Sequence, residues 1–209
     1  MPESVKSKIS TSLKWGLVLL WFGLASSLVM AMNRFTLTDF DHDNRLAMQL
    51  MSLDFEQRLV ERLAKAQTMR GKRIVHIRSS EPCFCESLVA SHANKLDALV
   101  AKQNTQSNPA VNDASITNVY YIDLSQHPSL TALVPSTPAI AVINEQEQLV
   151  YYGPYAQGSG CFSSAGEVDA VIRKELMEQR TARSESIGKN SAVIRAEARG
   201  CYCNQGLTS

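Results

Sequence analysis

Two thiols one residue apart, Cys83 and Cys85 in Ser80-Glu81-Pro82-Cys83-Phe84-Cys85-Glu86, are the groups in this chain best placed to do chemistry. They follow the apolar run Ile74-Val75-His76-Ile77 and open a helix-patterned stretch, so a strand should hand over to a helix at the cysteines. The first amides of a helix lack internal partners and carry partial positive charge. That favours thiolate over thiol, and hence attack on a disulfide. Arg78 acts in the same direction, whereas Glu81 and Glu86 disfavour a further negative charge. The chain has five cysteines: Cys201-Tyr202-Cys203 repeats the Cys-x-Cys spacing and Cys161 stands alone. An odd count in an oxidising compartment points to redox work or to a disulfide that changes partners. Cys85 can close on Cys83 only if the turn distorts, because neighbouring helical positions splay their side chains. Cys161 either resolves a mixed disulfide or pairs as a staple with Cys85 or a tail cysteine. Cys201 and Cys203 either fix the terminus or relay electrons.

The compartment follows from the start of the chain. Lys6, Lys8 and Lys14 precede an uncharged apolar run over residues 15–32, which closes at Asn33-Arg34. At about 1.5 Å per residue this run reaches across a hydrocarbon core of about 30 Å. The lysines place residues 1–14 in the cytoplasm as a basic tail and make residues 15–32 a transmembrane signal-anchor. Val29-Met30-Ala31 offers a competing signal-peptide cleavage site, and either reading sends the chain from residue 35 onward outside the cytoplasm. A formal net charge of +1, without a basic stripe, gives nucleic acid no footing as a partner.

Residues 33–70 read as a helical connector preceded by a first strand over residues 34–40. Asp39-Phe40-Asp41-His42-Asp43 resembles a calcium loop but lacks its glycine, where Asn44 stands, and its bidentate glutamate, where Leu50 stands. A polar turn is expected there. Leu46, Leu50 and Leu53, then Phe55, Leu59 and Leu63, recur at helical spacing, with Ser52 as a cap between two helices and Met48 and Met51 in the same apolar stripe. Next come a buried strand over residues 72–78, a helix with Leu88, Val89, His92, Leu96, Leu99 and Val100 on one face, and a strand at residues 119–123. A short helical segment near residues 128–133, then Ser136-Thr137-Pro138, and strands at 139–143 and 149–152 joined as a hairpin complete the pattern. Ser164 and Glu167 form a capping box for a last helix. His76, mid-strand, and His92 are expected to be structural.

This order of strand, cysteine turn, helix, strand, helix, Thr-Pro, strand, hairpin, strand and helix resembles the thioredoxin-like superfamily over residues 70–180. The closer likeness is to membrane-anchored bacterial thioredoxin-like proteins with a Cys-x-Cys motif. The resemblance implies an α/β fold: a thioredoxin-like central sheet flanked by helices over residues 71–182, preceded by one transmembrane helix and followed by a C-terminal extension, residues 183–209. It further implies a cis Pro138 facing the cysteines, with Thr137 offering backbone hydrogen bonds to a substrate strand. Cys83 matches the attacking cysteine; the second thiol comes one residue early, and Glu86 stands where the superfamily has it. The expectation is a thiol-disulfide oxidoreductase or isomerase in the bacterial inner membrane, single-pass, with its C-terminal domain in the periplasm. In it Cys83 attacks, Cys85 or Cys161 resolves, and no resident metal or cofactor is required. Its partners would be protein thiols or disulfides and a membrane redox protein. Two other classes fit the same residues: a thiolate module for copper or zinc, with His76, His92 or Cys161 as an added ligand, and a non-catalytic binding domain with structural bridges.

Overall fold

In the computed structural model, residues 11–80, 83–106, 116–158, 167–178 and 192–205 are described. The chain divides into two units, residues 1–36 and 37–209. The first contains α1 (Thr11–Thr36), whose segment Leu13–Ala31 is long and apolar enough to cross a membrane. This helix absorbs most of the strand expected at residues 34–40: only Thr38–Asp39, β1, is extended.

The second unit is a mixed α/β domain. After β1 come α2 (Arg45–Leu50), α3 (Phe55–Ala66), β2 (Arg73–Arg78), α4 (Phe84–Gln106), β3 (Asn118–Asp123), two single 3₁₀ turns and β4 (Ser136–Thr137). Then follow β5 (Ala139–Ile143), β6 (Leu149–Pro154), α5 (Glu167–Glu178), β7 (Val193–Ile194), β8 (Arg199–Gly200) and β9 (Cys203–Asn204). The main sheet runs β3-β2-β5-β6-β7. β2 and β3 are parallel, with α4 as their crossover, whereas β5 is antiparallel to both β2 and β6. β7 adds in parallel to β6.

β2 and β5 are central and buried on both faces, which explains their nearly unbroken apolar sequences. Val75, Ile77, Ala139 and Ala141 face a core with Phe55, Leu59, Leu63 and Tyr152. Ile74, Ile140 and Val142 face the opposite core, built on Val89, Leu96 and Val100 of α4 and Val168 and Ile172 of α5. α4 continues through the polar residues 103–106, where Asn104 bonds both the N–H and the C=O of Thr117 and so secures the return to β3.

The polar turn before α2 caps that helix. The Asp41 carboxylate accepts from the amides of Leu46, at 2.9 Å, and Ala47, at 2.7 Å, and Asn44 takes the left-handed conformation at φ 58°. Asp54, not Ser52, is the N-cap residue of α3. Met48, Met51 and Leu53 are exposed. The apolar stripe therefore breaks between the two short helices: α2 buries Arg45 and Leu46, and α3 buries Phe55, Leu59, Val60 and Leu63.

Candidate functional site

The two Cys-x-Cys motifs meet. Cys83 is bonded to Cys203 and Cys85 to Cys201, with Cα–Cα distances of 6.3 and 5.5 Å, well within the range a disulfide spans. The bridge between Cys83 and Cys85 that their adjacency suggests is thus replaced by two cross-motif bridges: each motif presents its two sulfurs to the other. Cys85 is buried, whereas Cys83, Cys201 and Cys203 are half-exposed. Cys161, Glu81, Pro82 and Ser164 lie outside the described residues.

Cys83 immediately precedes α4, whose first turn is closed by the Glu86 amide bonding the Cys83 carbonyl at 3.3 Å. Opposite it lies the Thr137-Pro138 peptide, which is cis. β4 and β9 pair antiparallel in a register that sets Thr137 against Cys203 and Ser136 against Asn204. The backbone edge expected to receive a substrate strand is therefore taken by the chain's own tail, with a cysteine at the position beside Thr137. The ladder continues as the Gln205 amide bonds the Pro135 carbonyl at 2.9 Å, and Gln205 Nε2 donates to Thr137 Oγ1 at 3.2 Å.

Side chains that carry no sulfur also fix the tail. The buried Arg45 guanidinium donates to the carbonyls of Thr131, at 3.1 Å, and of Gln205, and pairs with Asp43 at 2.6 Å. Tyr202, between the two tail cysteines, packs edge-on to Phe40 at 5.3 Å and donates its hydroxyl to the Ala156 carbonyl at 2.8 Å. Its ring leaves no room at Gly200, where a Cβ would come within 2.5 Å of the Tyr202 hydroxyl oxygen. β8 pairs with β1, so the tail is strapped on both sides of the cysteines.

Glu86 occupies the place where a Cys-x-x-Cys motif would have its second thiol. Burial pushes its carboxyl above the ordinary range, against hydrogen bonds from the Thr137 hydroxyl and from the Ser79 amide at 3.0 Å. One polar chain therefore runs from Gln205 through Thr137 to Glu86, linking the tail, the proline loop and the start of α4. Glu86 also lines a cavity of about 540 Å³ together with Arg78, Asp123, Pro138 and Tyr155.

The floor of that cavity is a network hard to anticipate from sequence. His76 bonds Tyr155 through Nδ1 and Asp97 through Nε2, the latter at 2.9 Å, and its ring stacks on Tyr121 and Tyr155. Tyr121 donates to Asp97 and its hydroxyl pKa is pushed up to about 12, by burial first and then by that carboxylate. Both imidazole nitrogens of His76 are engaged, and His92 pairs with Asp169 at 2.7 Å. Arg78 lies over the Tyr121 ring at 5.5 Å. The one sequence signal for the network was a histidine in the middle of an otherwise apolar strand; its partners come from α4, β3 and the end of β6, which topology alone unites.

A family model described as "Domain of unknown function (DUF6436)" matches residues 51–205. The chain belongs to this DUF6436 family. The matched span begins after α2 and ends at Gln205, so the family's domain contains both Cys-x-Cys motifs and the Thr137-Pro138 loop and leaves out α1. No curated protein and no solved structure matches the chain.

Proposed function

We propose that this DUF6436 protein is a membrane-anchored, extracytoplasmic thiol-disulfide exchange protein of thioredoxin-like build, with Cys83 as its exchanging sulfur. One observation carries the reading: Cys83 is bonded to Cys203 while the backbone of Cys203 pairs with Thr137 just ahead of Pro138. That is the arrangement a mixed disulfide with a docked substrate strand takes in the thioredoxin-like superfamily, here made within one chain. The order β3-β2-β5-β6, with α4 as the parallel crossover, supports the same resemblance. α1 and the lysines before it support a single-pass anchor with the domain outside the cytoplasm.

In this reading the resolving role falls to Cys203, because Cys85 is buried and held by Cys201. A partner dithiol attacks Cys83 Sγ as thiolate, the Cys83–Cys203 bond breaks, and Cys203 leaves as a thiolate. The partner's second thiol then attacks its own mixed-disulfide sulfur and expels Cys83. Cys83 leaves as a thiolate at the start of α4, where the unpaired amides stabilise it. The partner ends as a disulfide and the Cys83/Cys203 pair as two thiols, a transfer of two electrons and two protons; the reverse sequence reduces a partner disulfide.

Exchange of the reduced protein with a disulfide-bonded peptide tests this. Cys83→Ser should abolish it, and Cys203→Ser, by removing the resolving sulfur, should accumulate a mixed disulfide on Cys83. Wild-type exchange rates in Cys83→Ser would refute the assignment. A second reading, in which both bridges are structural, is favoured by the burial of Cys85 and the packing of Tyr202. It predicts that mild dithiol treatment releases no thiol from the native protein.

A further inference from the structure

The tail does not depend on its disulfides for its position. Arg45 holds Gln205, Tyr202 is wedged against Phe40 and Ala156, and β8 and β9 are each paired with another strand. None of these contacts involves sulfur, so breaking both S–S bonds leaves four thiols facing one another on ordered backbone. The sulfurs of Cys83, Cys85 and Cys203 already lie within 4.8 Å of one another, and Cys201 is attached through Cys85. A tetrahedral thiolate site with metal–sulfur bonds of about 2.3 Å has sulfur–sulfur edges of about 3.8 Å. Reduction lets the two bonded pairs spread, and the unbonded pairs adjust, to that edge. Three of the four sulfurs are half-exposed, so an ion can reach them, and the amides opening α4 favour the thiolate form.

From this we propose that the reduced protein holds a soft d10 cation, Zn(II) or Cu(I), on Cys83, Cys85, Cys201 and Cys203. The four sulfurs then alternate between two disulfides and one metal centre. The interconversion balances. Two equivalents of a dithiol reductant convert the two disulfides to four thiols and leave as two disulfides. Binding of Zn(II) to the four thiolates then releases four protons. Oxidation of the cluster by two equivalents of a disulfide oxidant returns both bridges and expels the ion. His76 and His92 are committed to Asp97 and Asp169 and take no part. The proposal is independent of the exchange activity above: a centre of this kind can form whether or not Cys83 exchanges with a partner.

The test uses the full chain in mild detergent, reduced by a phosphine under anaerobic conditions and loaded in separate arms with Zn(II) or Cu(I). Each sample is then desalted against a competing chelator. One equivalent per chain retained in either arm is expected, and the arm that retains it identifies the ion. Cys203→Ser should weaken retention by about 100-fold, the share of one ligand in a four-thiolate site, and Cys161→Ser should leave it unchanged. Arg45→Met removes no ligand but frees Gln205, and should weaken retention at least several-fold. All variants are compared with the reduced wild type, so loss of a bridge cannot account for a difference. No stoichiometric metal in either arm, or retention unaltered by Cys203→Ser, would overturn the proposal. One equivalent of metal retained by a wild-type chain that shows no exchange with a disulfide-bonded peptide would separate the two functions.

Discussion

The cross-motif pairing makes a quantitative claim about stability. Cys83–Cys203 and Cys85–Cys201 are separated by 120 and 116 residues and nested, so each closes nearly the same long loop. Loop-closure entropy makes the first bridge to form worth about 4.9 kcal/mol, whichever it is. Once it is formed, the second closes only a small ring through Phe84 and Tyr202, which adds about 2 kcal/mol on the same scale. In a Cys161→Ser background, Cys83→Ser/Cys203→Ser and Cys85→Ser/Cys201→Ser should therefore each lose about 2 kcal/mol, because the remaining bridge keeps the long loop closed. The quadruple variant should lose about 7 kcal/mol, a coupling of about 3 kcal/mol between the two pairs. Urea unfolding in mild detergent, followed by far-ultraviolet circular dichroism, measures all four proteins. If the bridges were local, Cys83–Cys85 and Cys201–Cys203, the Cys83/Cys203 variant would break both at once. Its loss would then equal that of the quadruple variant, and the nested connectivity would be refuted.

Three further outcomes follow, two from the way the tail is held and one from the network at the cavity floor. Arg45→Met leaves the Thr131 and Gln205 carbonyls without their buried donor and removes the guanidinium from Asp43, and should cost about 2–4 kcal/mol in the same unfolding assay. Gly200→Ala forces Tyr202 off the Ala156 carbonyl; a loss of about 1–3 kcal/mol and faster proteolysis after residue 192 are expected. Burial raises the Asp97 pKa, but hydrogen bonds from His76 and Tyr121 outweigh it, so the folded value lies below the ordinary 3.8. Its contribution to stability is therefore complete above that value and lost as pH falls through the lower folded one; Asp97→Asn should flatten this acid limb of a stability profile.

Much of the domain was legible in sequence because its signals are local. Unbroken apolar runs marked β2 and β5, helical spacing marked α4, and Pro138 after Thr137 marked the loop that faces the cysteines. The apolar segment of α1 needed composition alone. What sequence could not supply was pairing at long range. Nothing near Cys201 or Cys203 says that they meet Cys85 and Cys83, because the meeting depends on Arg45, Phe40 and Thr38, all more than 150 residues from the tail groups they hold. Adjacency left a Cys83–Cys85 bridge open, whereas both cysteines, at the start of α4, bond the tail motif instead. The Thr137-Pro138 turn was likewise legible, but not its pairing with the tail at Cys203. The extended stretch at residues 34–40 was misjudged because alternation there is brief and the apolar helix before it runs on to Thr36.

The most direct test of the account is the connectivity of the oxidised protein. Phe84 and Tyr202 lie between the paired cysteines, so chymotryptic cleavage at both separates the two bridges for mass spectrometry without reduction. The structure predicts one cross-linked peptide pair joining Cys83 to Cys203 and another joining Cys85 to Cys201. Recovery of Cys83–Cys85 and Cys201–Cys203, or of Cys161 bonded to Cys83, would contradict it.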